Sequence, residues 1–212
     1  MTKEEKCVVL LSGGVDSSTL AYWARDQGYK VHTMACKYGQ TPKKEVECAI
    51  RIAEKLGAPI RVIDLSSLQE IFNGMTPSGE TIPLTSRFRL VFFSVFFSTA
   101  VTYAIAIGAQ KIFSGFEGSD SQNDREWRRK FHKSFQTVAT LATGQDVPIE
   151  APFAEIPKSA IIKLGSRLGV HFEFTWSCNL NGRKHCGTCP SCVNRKKAFS
   201  EAAVPDPTEY NE

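Results

Sequence analysis

The chain is short of one-sided charge. Its 26 lysines and arginines stand against 22 aspartates and glutamates, a net of only +4 over 212 residues. The one concentrated basic stretch is Arg125, Arg128, Arg129, Lys130, His132 and Lys133, too little positive surface to announce a nucleic-acid binder. A secretory leader is also not expected, because MTKEEKCVVLLSGG mixes charges ahead of a brief apolar run, and the expected location is the cytoplasm. Disorder is not expected as the main state: 42% hydrophobic and 23% charged residues is ordinary globular usage, enough for one sizeable core and a small appendage.

Charge is absent altogether from residues 90–107, LVFFSVFFSTAVTYAIAI, a run at the lower edge of the length that spans a bilayer. Ser94, Ser98 and Thr102 recur every four residues within it, a small polar face expected where another helix or sheet packs closely. A buried or interface helix is therefore expected rather than a membrane span, and the same face suits a homodimer.

Short apolar runs alternate with helical segments along the rest of the chain. Strands are expected at Cys7 to Leu11, Lys30 to Ala35, Ile60 to Asp64 and Lys111 to Ser114, with helices near 17–28, 42–56, 89–107, 126–141 and 157–168. This order predicts an α/β fold, a parallel sheet with helices on both faces, whose ligand lies beyond the carboxyl ends of the strands. The expected division is an α/β domain over 1–172 and a cysteine-bearing C-terminal segment over 173–212 packed on it. The stretch 66–88, with Gly74, Pro77, Gly79 and Pro83, reads as a long loop or arm.

LLSGGVDSST, residues 10–19, sits where the first strand ends. It lacks the Lys-Ser/Thr ending of GxxxxGK[ST] and it lacks GxGxxG, so neither common phosphate fingerprint applies. What it has is Gly13 and Gly14, which let backbone N–H groups approach a ligand, and the hydroxyls of Ser12, Ser17 and Ser18 at a helix start, together an anion nest. Asp16 is an unusual companion for phosphate donors, and its expected roles are helix cap, magnesium-side carboxylate, or both.

Four of the seven cysteines fall in CNLNGRKHCGTCPSC, as Cys178, Cys186, Cys189 and Cys192. In a cytosolic chain this spacing points to metal rather than disulfides, and four thiolates close a tetrahedron around Zn²⁺ with no open position, a structural site. A Cys-x-x-Cys redox or sulfur-relay pair, its thiol activated by His185 and Arg183, is the rival, with an iron–sulfur cluster third. Cys7, Cys36 and Cys48 are expected in the core.

Ser12-Gly13-Gly14-Val15-Asp16-Ser17-Ser18 resembles the SGGxDS[ST] loop of the ATP-pyrophosphatase (PP-loop) superfamily, of adenine nucleotide α-hydrolase-like fold. Tyr38-Gly39-Gln40, Thr175-Trp176-Ser177-Cys178, the cysteine cluster and Asp206-Pro207-Thr208 follow in an order that resembles the 7-cyano-7-deazaguanine synthase family of queuosine precursor biosynthesis, over Val8 to Tyr210. The resemblance implies a carbon–nitrogen ligase that uses two ATP to adenylate 7-carboxy-7-deazaguanine, convert it with ammonia to the amide, and dehydrate the amide to the nitrile. It implies that Ser12, Gly13, Gly14, Asp16, Ser17 and Ser18 hold the pyrophosphate with Mg²⁺, and that Ala35, Gly39 and Gln40 meet the nucleotide. Lys158 and Arg87 would serve the reacting phosphate beside Asp16, while Arg87, Phe88, Asp120, Asp124 and Arg125 would line the substrate pocket.

The chain departs from the family pattern around that pocket. Lys37-Tyr38-Gly39-Gln40-Thr41-Pro42 stands where relatives carry Asp-Tyr-Gly-Gln-Arg-His. Thr85-Ser86-Arg87-Phe88 replaces Pro-Gly-Arg-Asn, and Asp120 to Arg125 is shorter and lacks a Gly-Tyr-Pro. Two alternatives therefore stand beside the synthase: a paralogue delivering the same acyl-adenylate to another amine, such as a protein terminus, and a tRNA-thiolating enzyme or non-catalytic nucleotide binder.

Overall fold

The computed structural model describes residues 5–38, 44–68, 86–115 and 122–211, with backbone alone at 86–92, 122–125, 127 and 128. Five parallel strands, β1 (Lys6–Leu10), β2 (Lys30–Lys37), β3 (Ile60–Asp64), β4 (Lys111–Phe113) and β5 (Ile149–Glu150), form one sheet in the order β3-β2-β1-β4-β5. The strand order reverses between β1 and β4, which places the ligand crevice of such a sheet between their carboxyl ends.

Helices cover both faces, as expected. Cys7, Val9 and Leu11 turn to one side, where they pack with α1 (Val15–Asp26), α2 (Lys44–Leu56), α5 (Lys158–Arg167) and α6 (Pro190–Ala202). Val8, Met34, Ile112 and Ile149 turn to the other, against α3 (Ser86–Ile107) and α4 (Gln122–Thr143). Alternate residues of a strand project to opposite faces, so a strand covered twice is apolar throughout, and KCVVL is buried at all three central positions.

The polar face expected to pack closely in α3 is not covered within the chain. Phe97, Ala100, Val101 and Ala104 are the buried stripe, while Ser98 and Thr102 are exposed. Their hydroxyls donate to the carbonyls of Ser94 and Ser98 one turn back, at 2.7 and 2.9 Å. The helix therefore satisfies its own polar side chains toward solvent. Among the described residues no helix is long and apolar enough to cross a membrane.

Two elements were not expected from sequence. β5 is a pair of residues after Pro148, too short for periodicity to register. α6 begins with Pro190 in its first turn directly after Cys189. Ala198, Phe199 and Ala202 of α6 lie in the same buried cluster as Leu20 of α1 and Ile161 of α5.

Candidate active site and cysteine knuckle

The chain leaves β1 at the strand-order reversal and turns at Ser12-Gly13-Gly14 into α1. Gly13 has φ +81°, and a Cβ there would collide with the Glu45 carbonyl oxygen and lie 2.8 Å from Ala49 N, so the first turn of α2 requires glycine at this position. From the other side Gly115, just past β4, packs so closely on Ser17 that a Cβ there would lie 3.0 Å from the Ser17 Cα. The loop is thus held between the ends of β1 and β4 and the start of α2.

Its hydroxyls are organised around Gly14. Ser18 donates to the Gly14 carbonyl at 2.7 Å and is wholly buried, so it braces the turn. Ser17 accepts the Ser12 backbone N–H at 3.1 Å and shares a 3.0 Å contact with the Ser12 hydroxyl. The N-cap of α1 is Gly14, and no side chain caps the helix. The expectation that Asp16 is the cap is therefore corrected: it sits inside the first turn, and Lys158 Nζ, at the first position of α5, lies 2.8 Å from its Oδ2. The helix N-terminus favours the carboxylate and the lysine neutralises it.

A cavity of about 330 Å³ opens beside the loop. Leu11, Ser12, Ser17, Ala35, Tyr38 and Phe96 are among the residues around it, and Ser114 and Gly115 close the β4 side. The structure thus brings Ser12, Ser17 and Ala35 to one cavity, with Gly13, Gly14, Asp16 and Lys158 at the loop that forms its wall. Gly39, Gln40 and Asp120 lie outside the described residues, as does the 66–88 loop from residue 69 to 85. Arg87, Phe88, Asp124 and Arg125 have a described backbone only, the first two on α3 and the last two on α4. Lys37, the base where the family pattern has an acid, pairs with Asp64 at 2.9 Å across β2 and β3.

The sulfurs of Cys178, Cys186, Cys189 and Cys192 all lie within 4.8 Å of one another. The Cys186–Cys192 and Cys178–Cys189 separations of 3.9 and 4.0 Å are close to the edge of roughly 3.8 Å that a tetrahedron with Zn–S near 2.3 Å requires. Backbone N–H groups of Leu180 and Cys186 point at Cys178 Sγ, and that of Cys189 at Cys186 Sγ, over 3.3 to 3.4 Å. Those of Cys189 and Thr188 bring the Cys186 thiol down to about 6. His185 and Arg183, expected as the activators of a redox pair, are not among its causes. Cys7 is fully buried, while Cys36 and Cys48 are half-buried beside the cores. Burial pushes all three thiols up, to about 12, 12 and 11.

The knuckle and the loop share a strut that sequence reasoning did not assign. Trp176 donates its backbone N–H to the Gly13 carbonyl at 2.9 Å and its indole N–H to the Cys178 carbonyl at 2.8 Å. Its ring lies 4.1 Å from that of His185, whose Nε2 accepts the Ser177 N–H. Beneath it Arg195, fully buried, donates to Thr175 Oγ1, Ser177 Oγ, the Phe172 carbonyl and Asp206 Oδ1. Burial works against the Asp206 charge, but Arg195 and the hydrogen bonds from Tyr210 and Thr208 outweigh it and hold the carboxyl below its usual range. Thr-Trp-Ser-Cys and Asp-Pro-Thr are visible as stretches in the sequence; their meeting at one arginine is not.

A parallel sheet of this order with a Gly-Gly-hydroxyl turn after β1 is the PP-loop type of α/β fold. NMN synthetase from Francisella tularensis shares it, with a TM-score of 0.56 at 16% identity over 95% of this chain and 79% of that one. So does U34-tRNA thiolase NcsA from Methanococcus maripaludis with its [4Fe-4S] cluster, at 0.52 and 13% over 92% and 64%. The sequence narrows the class. The model of queuosine biosynthesis protein QueC matches residues 6–203, and the chain belongs to that family. The 7-cyano-7-deazaguanine synthases of Caldicellulosiruptor saccharolyticus and Methanosphaerula palustris are 36% and 37% identical to it, over 97% and 98% of this chain and 95% and 100% of theirs.

Proposed function

We propose that this chain adenylates the carboxylate of 7-carboxy-7-deazaguanine and converts it with ammonia, through the amide, to 7-cyano-7-deazaguanine, releasing AMP and pyrophosphate. The observation that carries this is the braced turn at Ser12 to Ser18 beside the 330 Å³ cavity, with Lys158 poised at Asp16, in a member of the QueC family. A carboxylate is a poor electrophile, and making it an acyl-adenylate needs no protein nucleophile. It needs the carboxylate held in line with the α-phosphate and the growing charge balanced. The N–H groups at the start of α1 and Lys158 supply that balance. Ala35 and the apolar cavity wall take the base, and Arg87 with Phe88, Asp120, Asp124 and Arg125 takes the deazaguanine.

Asp16 is the carboxylate of the loop, and Mg²⁺, which is typically held by one or two carboxylates together with substrate phosphates, would rest on it and withdraw charge from the nucleotide. The four-cysteine cluster suits Zn²⁺ as a structural ion, its four thiolates leaving no coordination position for chemistry. A second copy of the chain is the expected partner, meeting the exposed Ser98 and Thr102 face of α3.

The protein incubated with ATP, Mg²⁺, ammonium and 7-carboxy-7-deazaguanine is expected to give the nitrile together with AMP and pyrophosphate by mass spectrometry. Absence of nitrile, amide and adenylate alike would overturn the proposal. One observation favours a second reading, delivery of the acyl-adenylate to another amine such as a protein terminus: at the end of β2 the family's acid is Lys37, bound to Asp64. Amide without nitrile, or a conjugate formed only with an added protein, would mark that activity.

A further inference from the structure

The peptide between Gly13 and Gly14 is flanked by two glycines, so its rotation is opposed by neither residue's side chain. Its orientation nevertheless decides what the loop can bind. A trans peptide is planar, with its C=O and N–H pointing in opposite directions. When the Gly13 carbonyl faces Trp176 N–H at 2.9 Å, the Gly14 N–H is directed away from Trp176. It is directed to the Ser12 hydroxyl, 3.4 Å away, which lines the cavity. A flipped peptide would present a carbonyl oxygen there and repel an anion.

The Trp176 N–H is therefore the group that sets the sign of the loop, and it is held from below. Arg195 grips the residues on either side, Thr175 Oγ1 at 2.8 Å and Ser177 Oγ at 3.2 Å through one nitrogen, while its Nε meets Asp206 Oδ1 at 3.2 Å. Asp206 is fixed in turn by Tyr210 OH at 2.6 Å and Thr208 N at 3.1 Å. A wholly buried guanidinium is tolerated only where such partners satisfy it. Every one of its donors named here goes to the segment carrying Trp176 or to the tail.

We propose that Arg195, locked by Asp206, is a positioning residue for phosphate binding: it holds Trp176 against the Gly13 carbonyl and so keeps the Gly14 N–H on the side of the Ser12 hydroxyl at the cavity wall, from where it can turn to an anion. It touches no substrate itself. The proposal rests on the loop being the pyrophosphate site of the proposed function, and its test separates the two.

The test uses the zinc-loaded full chain and the variants Arg195→Lys, which keeps the charge but not the fork, and Ser177→Ala, which removes one contact and spares the core. In the absence of ligand, hydrogen exchange at the Trp176 amide is expected to speed at least tenfold in Arg195→Lys and severalfold in Ser177→Ala. Calorimetric affinity for inorganic pyrophosphate with Mg²⁺ is expected to fall in step, KM for ATP to rise more than kcat falls, and zinc to stay at one per chain. A Trp176 amide as protected as in the wild type, or a pyrophosphate affinity within twofold of it in variants whose amide is loosened, overturns the proposal. If Arg195→Lys does not fold, Ser177→Ala decides by the same two readouts. Wild-type protein that binds no pyrophosphate would instead refute the loop assignment, while the amide exchange would still report on the clasp.

Discussion

Lys158 Nζ and Asp16 Oδ2 stand 2.8 Å apart across 142 positions of sequence, each side chain about one-sixth exposed. The pair joins the first turn of α5 to the first turn of α1 beside the Ser12–Gly14 turn. On the proposed function its value to catalysis exceeds its value to stability, because both charges would then balance phosphate charge. Lys158→Ala is expected to lower the adenylation rate by about 10²-fold or more and to destabilise the fold by roughly 1–3 kcal/mol through the carboxylate left behind. Adding Asp16→Asn should restore much of that stability and none of the activity, a non-additivity that a double-mutant cycle reads directly. Wild-type turnover in Lys158→Ala would remove the lysine from the mechanism.

A zinc ion held by the four cysteines is expected to matter at least as much to stability as the pair. Cys189→Ser leaves three thiolates and a hydroxyl, and Trp176 hangs on the carbonyl of Cys178 in the same cluster. Loss of the ion is expected to cost about 3 kcal/mol or more, which for a chain of this size lowers Tm by at least about 6 °C. Zinc content and thermal melts check both. One zinc per chain with an unchanged melt would refute a structural role.

The sheet was legible because its longer strands are β-branched or apolar runs ended by Gly, Pro or charge, and the loop because glycines and hydroxyls meet at a strand end. α6 was not, for a physical reason: its buried face runs Cys192, Arg195, Ala198, Phe199 and Ala202, and an arginine in the stripe breaks the hydrophobic pattern. The family resemblance brought Lys158 to the loop, but its ion pair with Asp16 could not be read, since a carboxylate in a first turn looks like a cap until the lysine 142 positions away is in place. The closeness of Gly13 to α2 is likewise a fact of tertiary packing that no local pattern carries.

His32 lies in β2 with both ring nitrogens buried and without a hydrogen-bond partner among the described residues. It faces the Tyr103 ring of α3 at 6.4 Å, and Lys6 of β1 and its neighbour Lys30 add positive charge nearby. Burial first, then the two lysines, lowers its pKa. The folded chain therefore binds this proton less readily than the unfolded one, so its contribution is fully present above about pH 6.5 and is lost as pH falls below that. His32→Leu removes the unsatisfied atoms and is expected to raise stability by about 1 kcal/mol while flattening the melting temperature between pH 7.5 and 5. A variant that melts lower with the same acid-side slope would count against this assignment.

Gly165 is the position where helix propensity and packing oppose each other. Replacing a helical glycine by alanine normally gains about 1 kcal/mol. Here the added Cβ would lie 2.6 Å from both Phe172 Cζ and Thr19 Oγ1, where α5 packs on α1. Phe172 is itself buried and carries one of the carbonyls that Arg195 grips, so it has little room to yield. Gly165→Ala is therefore expected to lose about 1–3 kcal/mol by overpacking in urea unfolding, with the loss reaching the loop as weaker nucleotide binding. A gain in stability would show that α5 and α1 can separate freely, and that the Lys158 to Asp16 distance is not fixed by their packing.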